Sequence, residues 1–117
     1  MMTLYDKVKT YRNIDHEGIT LIKNLEGYRS RAYLDSANIA TIGYGSTRIF
    51  GRRVRIGDHI TEQEAKEQLA IDLIVFESAV NRLVDVYITQ SMYNALVSFV
   101  YNVGVSAFEY SLSLIHI

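Results

Sequence analysis

The sequence predicts an α+β fold in which a small antiparallel sheet lies between helices. Residues 31–47 alternate with the short period of strands around a polar turn. Residues 61–83 and 89–103 instead place apolar side chains at helical spacing. With 117 residues the chain fits one domain. We therefore expect a small sheet lobe that a long helix, beginning near Thr61, joins to a helical lobe.

The first predicted helix begins after Asp15, a residue type that caps helix N-termini. Ile19, Ile22 and Leu25 follow at helical spacing, and Gly27 can end the helix in the left-handed conformation. This assignment places Glu26 on the last turn. The preceding residues 1–13 are interpreted as a short helix or an arm.

The strand pattern comes next. Residues 32–34 and 39–45 are predicted strands, and the polar residues 35–38 form the turn between them. Residues 52–56 alternate between polar and apolar and predict a third strand, which Gly57 closes.

Two further helices carry clear start signals. Thr61 and Glu64 form a capping box before a helix with one apolar face, made of Leu69, Leu73, Phe76, Val80 and Leu83. Thr89 caps the next helix and Gly104 ends it. Its predicted inward residues are Ala95, Leu96, Phe99, Val100 and Val103.

Composition narrows the function classes. The formal net charge of −1 gives no indication of a nucleic-acid partner. Residues 1–60 carry ten Lys and Arg against six Asp and Glu, and residues 61–117 carry two against seven. A basic first half suits an anionic polymer, although scattered solvated charge explains it equally well. No stretch approaches the roughly 18 apolar residues of a membrane span, so we expect no membrane insertion.

Glu26, Asp35 and Thr41 form the candidate reactive set. The predicted fold puts one carboxylate at a helix end, the second at a hairpin turn, and the threonine on the returning strand. Cleavage of a glycosidic bond needs one protonated and one ionised carboxyl group. Two carboxylates alone are a weak signal, because most domains could supply such a pair. We expect the more enclosed Glu26 to have the raised pKa.

The surrounding residues make the signal specific. The segments 18–29, 32–35 and 41–47 closely resemble the active-site segment of the phage-type lysozymes, glycoside hydrolase family 24. That family shows Glu-Gly at a helix end, then Ala-Tyr-x-Asp, then Thr-Ile-Gly-Tyr-Gly-His-Thr. Segments 57–65 and 96–104 resemble its long connecting helix and its core helix. The resemblance covers roughly residues 14–111.

The resemblance implies a lysozyme-like fold and a muramidase that needs no cofactor or metal. Glu26 would be the general acid, Asp35 the general base or charge stabiliser, and Thr41 the residue that orients water. The implied substrate is the β-1,4 bond between N-acetylmuramic acid and N-acetylglucosamine of peptidoglycan. The expected substrate contacts are Tyr33, Gly43, Tyr44 and Asn102.

Two positions depart from the family pattern. Ser46 stands where the family has histidine, which usually supports the fold and not the chemistry. Ala40 stands where the family often has an aromatic residue. We expect the smaller alanine to loosen the wall of the substrate cleft that the resemblance implies.

Other candidate groups are less specific. His16 and His59 have no partners at metal-ligand spacing and are interpreted as surface or structural residues. The arginines at 48, 52, 53 and 55 either contact an anionic polymer or form a solvated hairpin edge.

Alternatives exist for the stereochemistry of cleavage, for the type of reaction and for activity itself. The resemblance implies cleavage with inversion, which requires carboxyl groups about 6.5–9.5 Å apart, whereas a separation of about 5 Å would favour the retaining route. A lytic transglycosylase cuts the same bond with one acid and no water, and the presence of Asp35 and Thr41 argues against it. The chain could also be an inactive remnant that at most binds wall glycan.

The expected biology follows from the resemblance. The protein would act as a monomer on peptidoglycan. Before that it would remain in the bacterial cytoplasm until a separate holin releases it. The polar first 15 residues contain no signal-peptide pattern.

The C-terminal end shapes the domain assignment. Residues 1–117 are interpreted as one lysozyme domain that is incomplete at its C-terminus. The resemblance fails at Leu112, so residues 112–117 are interpreted as a non-native tail. Because the apolar stripe of the helix at 89–103 would lack partners, we expect this chain to be weakly active or inactive.

Overall fold

The computed structural model describes residues 12–115, which form four helices and four short strands. In chain order these are α1 (His16–Glu26), β1 (Arg29–Leu34), β2 (Ala40–Gly43), β3 (Arg48–Ile49), β4 (Arg52–Arg53), α2 (Glu62–Leu83), α3 (Gln90–Val103) and α4 (Val105–Ile115). The expected α+β class is confirmed. Most of the arm or helix expected at residues 1–13 lies outside the described residues.

The chain divides into two compact units. Residues 22–72 form the sheet unit, and residues up to 21 together with those from 73 onward form the helical unit. Helix α2 contributes residues 62–72 to the sheet unit and residues 73–83 to the helical unit.

Helix α1 has the predicted ends. The Asp15 carboxylate accepts a hydrogen bond from the backbone amide of Gly18 at 3.1 Å. This bond and one from the Asn94 side chain hold the pKa of Asp15 below its ordinary value. Gly27 has the left-handed φ of 72° that ends the helix and turns the chain into β1.

The main sheet is an antiparallel pair of β1 and β2. Tyr33 lies opposite Thr41, and Leu34 lies opposite Ala40. Between Arg29 and Tyr33 the register shifts, so four residues of β1 span two of β2 and the strand bends. Residues 58–60 run along the other edge of β1, where the amide of Ala32 donates to the carbonyl of Asp58 at 3.0 Å.

The third strand, predicted over residues 52–56, is confirmed only at Arg52–Arg53. It pairs with Arg48–Ile49 in a separate two-stranded sheet and does not join the main sheet. Phe50 and Gly51 make the tight turn with φ values of 51° and 75°. The strand ends early because the Asp58 carboxylate accepts the backbone amide of Arg55 at 2.7 Å, which bends the chain.

Helix α2 confirms its predicted start and most of its predicted face. The amide of Thr61 donates to Glu64 Oε1 at 2.9 Å, and the amide of Glu64 donates to Thr61 Oγ1 at 3.1 Å. Leu69, Leu73 and Val80 are buried. The other two predicted core residues, Phe76 and Leu83, are half-buried.

Helix α3 has the predicted caps but a different buried face. Thr89 Oγ1 accepts the amide of Met92 at 3.1 Å, and Gly104 ends the helix. Of the predicted inward residues, Val100 is buried and Leu96 is half-buried, whereas Ala95, Phe99 and Val103 are exposed. The buried residues are Tyr93, Asn94, Val97, Ser98 and Val100. The helix is thus rotated relative to the prediction, and the exposed Phe99 ring packs edge-on against Phe108 of α4 at 6.4 Å between centroids.

Among residues 12–115 no helix combines the length and the apolar character that a membrane crossing requires.

Gly43 of β2 lies close to Ala65 of α2. A Cβ added there would lie 3.0 Å from Ile60 Cδ1 and 3.1 Å from the Ala65 Cβ. Gly51 has a similar positive φ but nothing within 4 Å of its added Cβ. Alanine substitution at the two positions therefore distinguishes the free-energy cost of the left-handed backbone from the cost of the contact with Ile60 and Ala65.

We expect Gly51→Ala to lower the free energy of unfolding by about 1 kcal/mol, through backbone conformation alone. Gly43→Ala should lower it by roughly 3 kcal/mol, because the overpacked contact with α2 adds to the same backbone cost. Denaturant unfolding of both variants measures the difference. Equal losses would show that the close approach at Gly43 contributes nothing.

Candidate active site

Glu26 occupies the last turn of α1, where the predicted helix end puts it. Its side chain is exposed to solvent, yet nearby protein atoms partly exclude water from the carboxyl group. This desolvation raises the pKa of Glu26 above its ordinary value. A carboxyl group with a raised pKa holds its proton at a higher pH, as a general acid must.

Asp35 lies at the start of the turn between β1 and β2. Its Oδ1 atom accepts the backbone amides of Ala37 at 2.8 Å and Ile39 at 2.9 Å. The backbone amide of Asn38 donates to the Asp35 carbonyl at 3.0 Å, with Asn38 at a left-handed φ of 61°. The turn therefore holds the Asp35 carboxylate by one oxygen. Within the described part of the chain the Oδ2 atom has no hydrogen bond.

Thr41 sits on β2 directly across from Tyr33. Its hydroxyl group donates to the carbonyl of Ile39 at 2.9 Å, and its side chain is buried. Because the hydroxyl proton is used, the remaining lone pairs of Oγ1 can accept a hydrogen bond. Asp35 lies opposite Ile39, so Thr41 is about 7 Å further along the strand.

Gly43 and Tyr44, expected to contact substrate, are both buried against the protein itself. The Tyr44 hydroxyl donates to Glu62 Oε2 at 2.7 Å, and burial together with this bond raises the pKa of Tyr44 to about 12. The tyrosine side chain is 2% exposed. Its ring therefore offers no stacking face, and the glycine serves the close approach to Ala65 on α2.

The two remaining expected contacts differ in position. Tyr33 is half-buried on β1, with the Arg29 guanidinium 4.4 Å from the centre of its ring. Asn102 is exposed on α3 of the helical unit. Glu26, Asp35, Thr41 and Tyr33 thus lie together in the sheet unit, and Asn102 does not.

Ser46, Gln68 and Asp72 form a partly buried polar cluster that the sequence pattern did not predict. The Ser46 hydroxyl donates to Asp72 Oδ2 at 2.6 Å, and the Gln68 amide donates to Asp72 Oδ1 at 2.8 Å. Burial raises the pKa of Asp72, and the two hydrogen bonds oppose that rise. Ser46 replaces the histidine of the family pattern, and its partner lies 26 residues away. The departure at Ser46 was the available signal, but no local pattern identifies the partner.

No group of three or more His, Cys, Asp or Glu suited to a metal ion occurs in residues 12–115. The functional groups described above for the site are carboxyl and hydroxyl groups. A carboxyl group of raised pKa and a second carboxylate are the functional groups that two-carboxylate glycosidases use.

Comparison with known proteins agrees with this class. The sequence model of the Phage lysozyme family matches residues 23–117. The endolysin of Salmonella phage P22 is 44% identical over 96 residues, which is 81% of this chain and 66% of that protein. The chain therefore belongs to the phage lysozyme family.

Solved structures agree on the fold. An endolysin from Escherichia coli O157:H7 phage FAHEc1 superposes with a TM-score of 0.80 at 41% identity, over 85% of this chain and 63% of that one. The muramidase domain of SpmX from Asticaccaulis excentricus gives 0.77 at 38% identity, over 85% and 65%. The chain spans about two thirds of the length of these proteins.

The family match continues to residue 117, and α4 extends to Ile115. The interpretation of residues 112–117 as a non-native tail stays a prediction.

We expect Ser46→Ala to destabilise the protein by about 1–3 kcal/mol at neutral pH, because a half-buried carboxylate loses a hydrogen bond. The pKa of Asp72 should rise further, since one of the two bonds that oppose the effect of burial is removed. The ionised carboxyl group is the form that burial penalises. The stability deficit should therefore shrink as the pH falls through the folded pKa of Asp72.

Thermal melting across pH measures this effect, and Ser30→Ala, at an exposed serine of β1, is the matched control. A deficit that is independent of pH, or equal in the two variants, would exclude the Ser46–Asp72 bond as its cause.

Proposed function

We propose that this chain is a lysozyme, an N-acetylmuramoylhydrolase (EC 3.2.1.17) that cleaves the β-1,4 bond between N-acetylmuramic acid and N-acetylglucosamine. The observation that carries the proposal is the contrast between two carboxyl groups of the sheet unit. Glu26 is desolvated and has a raised pKa, whereas the Asp35 carboxylate accepts two backbone amides through one oxygen atom. The relatives named endolysin and muramidase support the same activity.

Glu26, Asp35 and Thr41 have different roles in the proposed hydrolysis. Glu26 donates its proton to the glycosidic oxygen, and the bond to the anomeric carbon breaks. A water molecule attacks that carbon and gives its proton to Asp35 through the Oδ2 atom. The Thr41 oxygen accepts a hydrogen bond from that water and orients it. Water attack on the face opposite the leaving group inverts the anomeric carbon.

Substrate contacts follow from accessibility. Tyr33 is the proposed sugar contact in the sheet unit, since the buried Tyr44 ring cannot serve. Asn102 remains a proposed contact from its exposed place on α3.

Peptidoglycan is the proposed partner of the whole protein. Cytoplasmic storage, release by a holin and a monomeric state remain predictions.

The remnant alternative is less well supported than catalysis. All three proposed catalytic residues are present in the sheet unit, and the relatives found carry names of lytic enzymes. The expected weakness of this chain rested on an exposed stripe on α3, and part of that stripe is covered, because Val100 is buried. Weak activity stays a prediction.

We expect Glu26→Gln to reduce the rate of lysis of purified cell walls by about 10²–10⁴-fold, because the leaving group is no longer protonated. The control is Glu17→Gln, at an exposed glutamate of the first turn of the same helix, which should lyse walls at the unchanged rate. Turbidity of wall suspensions measures both variants.

Stability separates loss of chemistry from loss of fold. Folding raises the pKa of Glu26, so the native state disfavours its ionised form. The neutral glutamine should therefore leave the melting temperature at neutral pH unchanged or higher. Lysis by Glu26→Gln at the wild-type rate would overturn the assignment of Glu26 as the proton donor. No lysis by the unmodified chain would favour the remnant alternative.

The products distinguish the chemical routes. Hydrolysis with inversion should release N-acetylmuramic acid ends in the α configuration, which NMR of early products detects. β ends would indicate retention, and anhydro ends would indicate a lytic transglycosylase.

A further inference from the structure

The hairpin of β3 and β4 places two arginines directly opposite one another. Arg48 and Arg53 are register partners, so their Cβ atoms lie roughly 5 Å apart on one face. Like charges at such a pair destabilise a sheet. Within residues 12–115 neither guanidinium has a carboxylate partner, and Arg48 donates only to the carbonyl of Gly51 at 3.0 Å.

The neighbouring arginines are arranged differently. Arg52 forms a two-bond ion pair with Asp58, at 2.8 and 3.0 Å, which lowers the pKa of Asp58 to about 2. Arg55 is exposed. The hairpin thus neutralises one of its four arginines, and among residues 12–115 the opposed pair has no carboxylate partner.

The opposed pair lines a cavity of about 370 Å³ in the sheet unit. The same cavity is lined by Asn38, Ile39 and Ala40, residues of the turn and strand that join Asp35 to Thr41. The Ile39 amide itself donates to the Asp35 carboxylate at 2.9 Å. The cavity therefore shares a wall with the turn that holds the proposed catalytic base.

We propose that this cavity is an anion site that binds a carboxylate of the peptidoglycan stem peptide, and the proposal rests on the proposed function. Two guanidinium groups on one face present paired N–H donors, the geometry that carboxylates accept. In the intact wall the lactyl carboxyl group of N-acetylmuramic acid is bonded to the peptide, so the free carboxylates belong to the stem. An anion between Arg48 and Arg53 also removes their mutual repulsion.

The test measures binding by calorimetry and by the shift in melting temperature at low salt. The probe is N-acetylmuramyl-L-alanyl-D-isoglutamine, which carries one peptide carboxylate. Three ligands serve for comparison. The first is the probe with its carboxylate amidated, the second is N-acetylmuramic acid, which has a free lactyl carboxylate, and the third is inorganic phosphate. Arg48→Gln and Arg53→Gln remove one member of the pair each, and Arg55→Gln removes an equal charge outside the cavity.

We expect the carboxylate probe to bind and to raise the melting temperature, and amidation to abolish both effects. Arg48→Gln and Arg53→Gln should each weaken binding about tenfold, whereas Arg55→Gln should change it less than twofold. Without ligand, Arg53→Gln should melt at or above the wild-type temperature because the like-charge pair is relieved.

Three results would overturn the proposal. They are unchanged binding by both pair variants, an equal loss in Arg55→Gln, and a preference for phosphate, N-acetylmuramic acid or the amidated probe. Binding requires no catalysis, so Glu26→Gln should bind the probe like the wild type. An error in the catalytic assignment would therefore leave this result unchanged, and failure of the anion site would leave the lysis experiments unaffected.

Discussion

The packing of the β2 strand on the start of α2 is the constraint on which the sheet unit depends. Gly43 allows this packing because it lacks the Cβ that would press on Ile60 and Ala65. The two residues that precede Gly43 on the strand, Thr41 and Ile42, are also buried. A strand held at this distance fixes the turn before it, and that turn carries Asp35.

Polar contacts extend the same interface along α2. Tyr44 reaches Glu62 near the helix start, and Ser46 reaches Asp72 almost three turns later. Both bonds use residues of the Gly-Tyr-Gly segment or its immediate neighbour, so that segment serves to dock the hairpin on the helix. A histidine at position 46, as in the family pattern, could present a positive charge to Asp72. Serine presents a neutral hydroxyl, which leaves the pKa of that buried carboxyl group raised.

Local signals in the sequence were sufficient for the helix ends. Caps such as Thr61 and Thr89 act within three residues of themselves, so their bonds follow from local order. The early end of β4 depends on Asp58 capturing the amide of Arg55, which alternation of polar and apolar residues does not reveal. The choice of Val97 over Phe99 as the buried residue of α3 depends on the surrounding helices, and both residues satisfy a helical period. Sequence resemblance identified Glu26, Asp35 and Thr41, whereas the reason for Gly43 and the partner of Ser46 required three-dimensional contacts.

The end of α1 keeps the Glu26 carboxyl group protonated at a higher pH than an ordinary glutamate. A titration of the Glu26 side-chain carbon by NMR, assigned with the Glu26→Gln variant, measures this directly. We expect a midpoint above the ordinary glutamate value, because the surrounding protein desolvates the carboxyl group. A midpoint at or below that value would contradict the assignment of Glu26 as the proton donor.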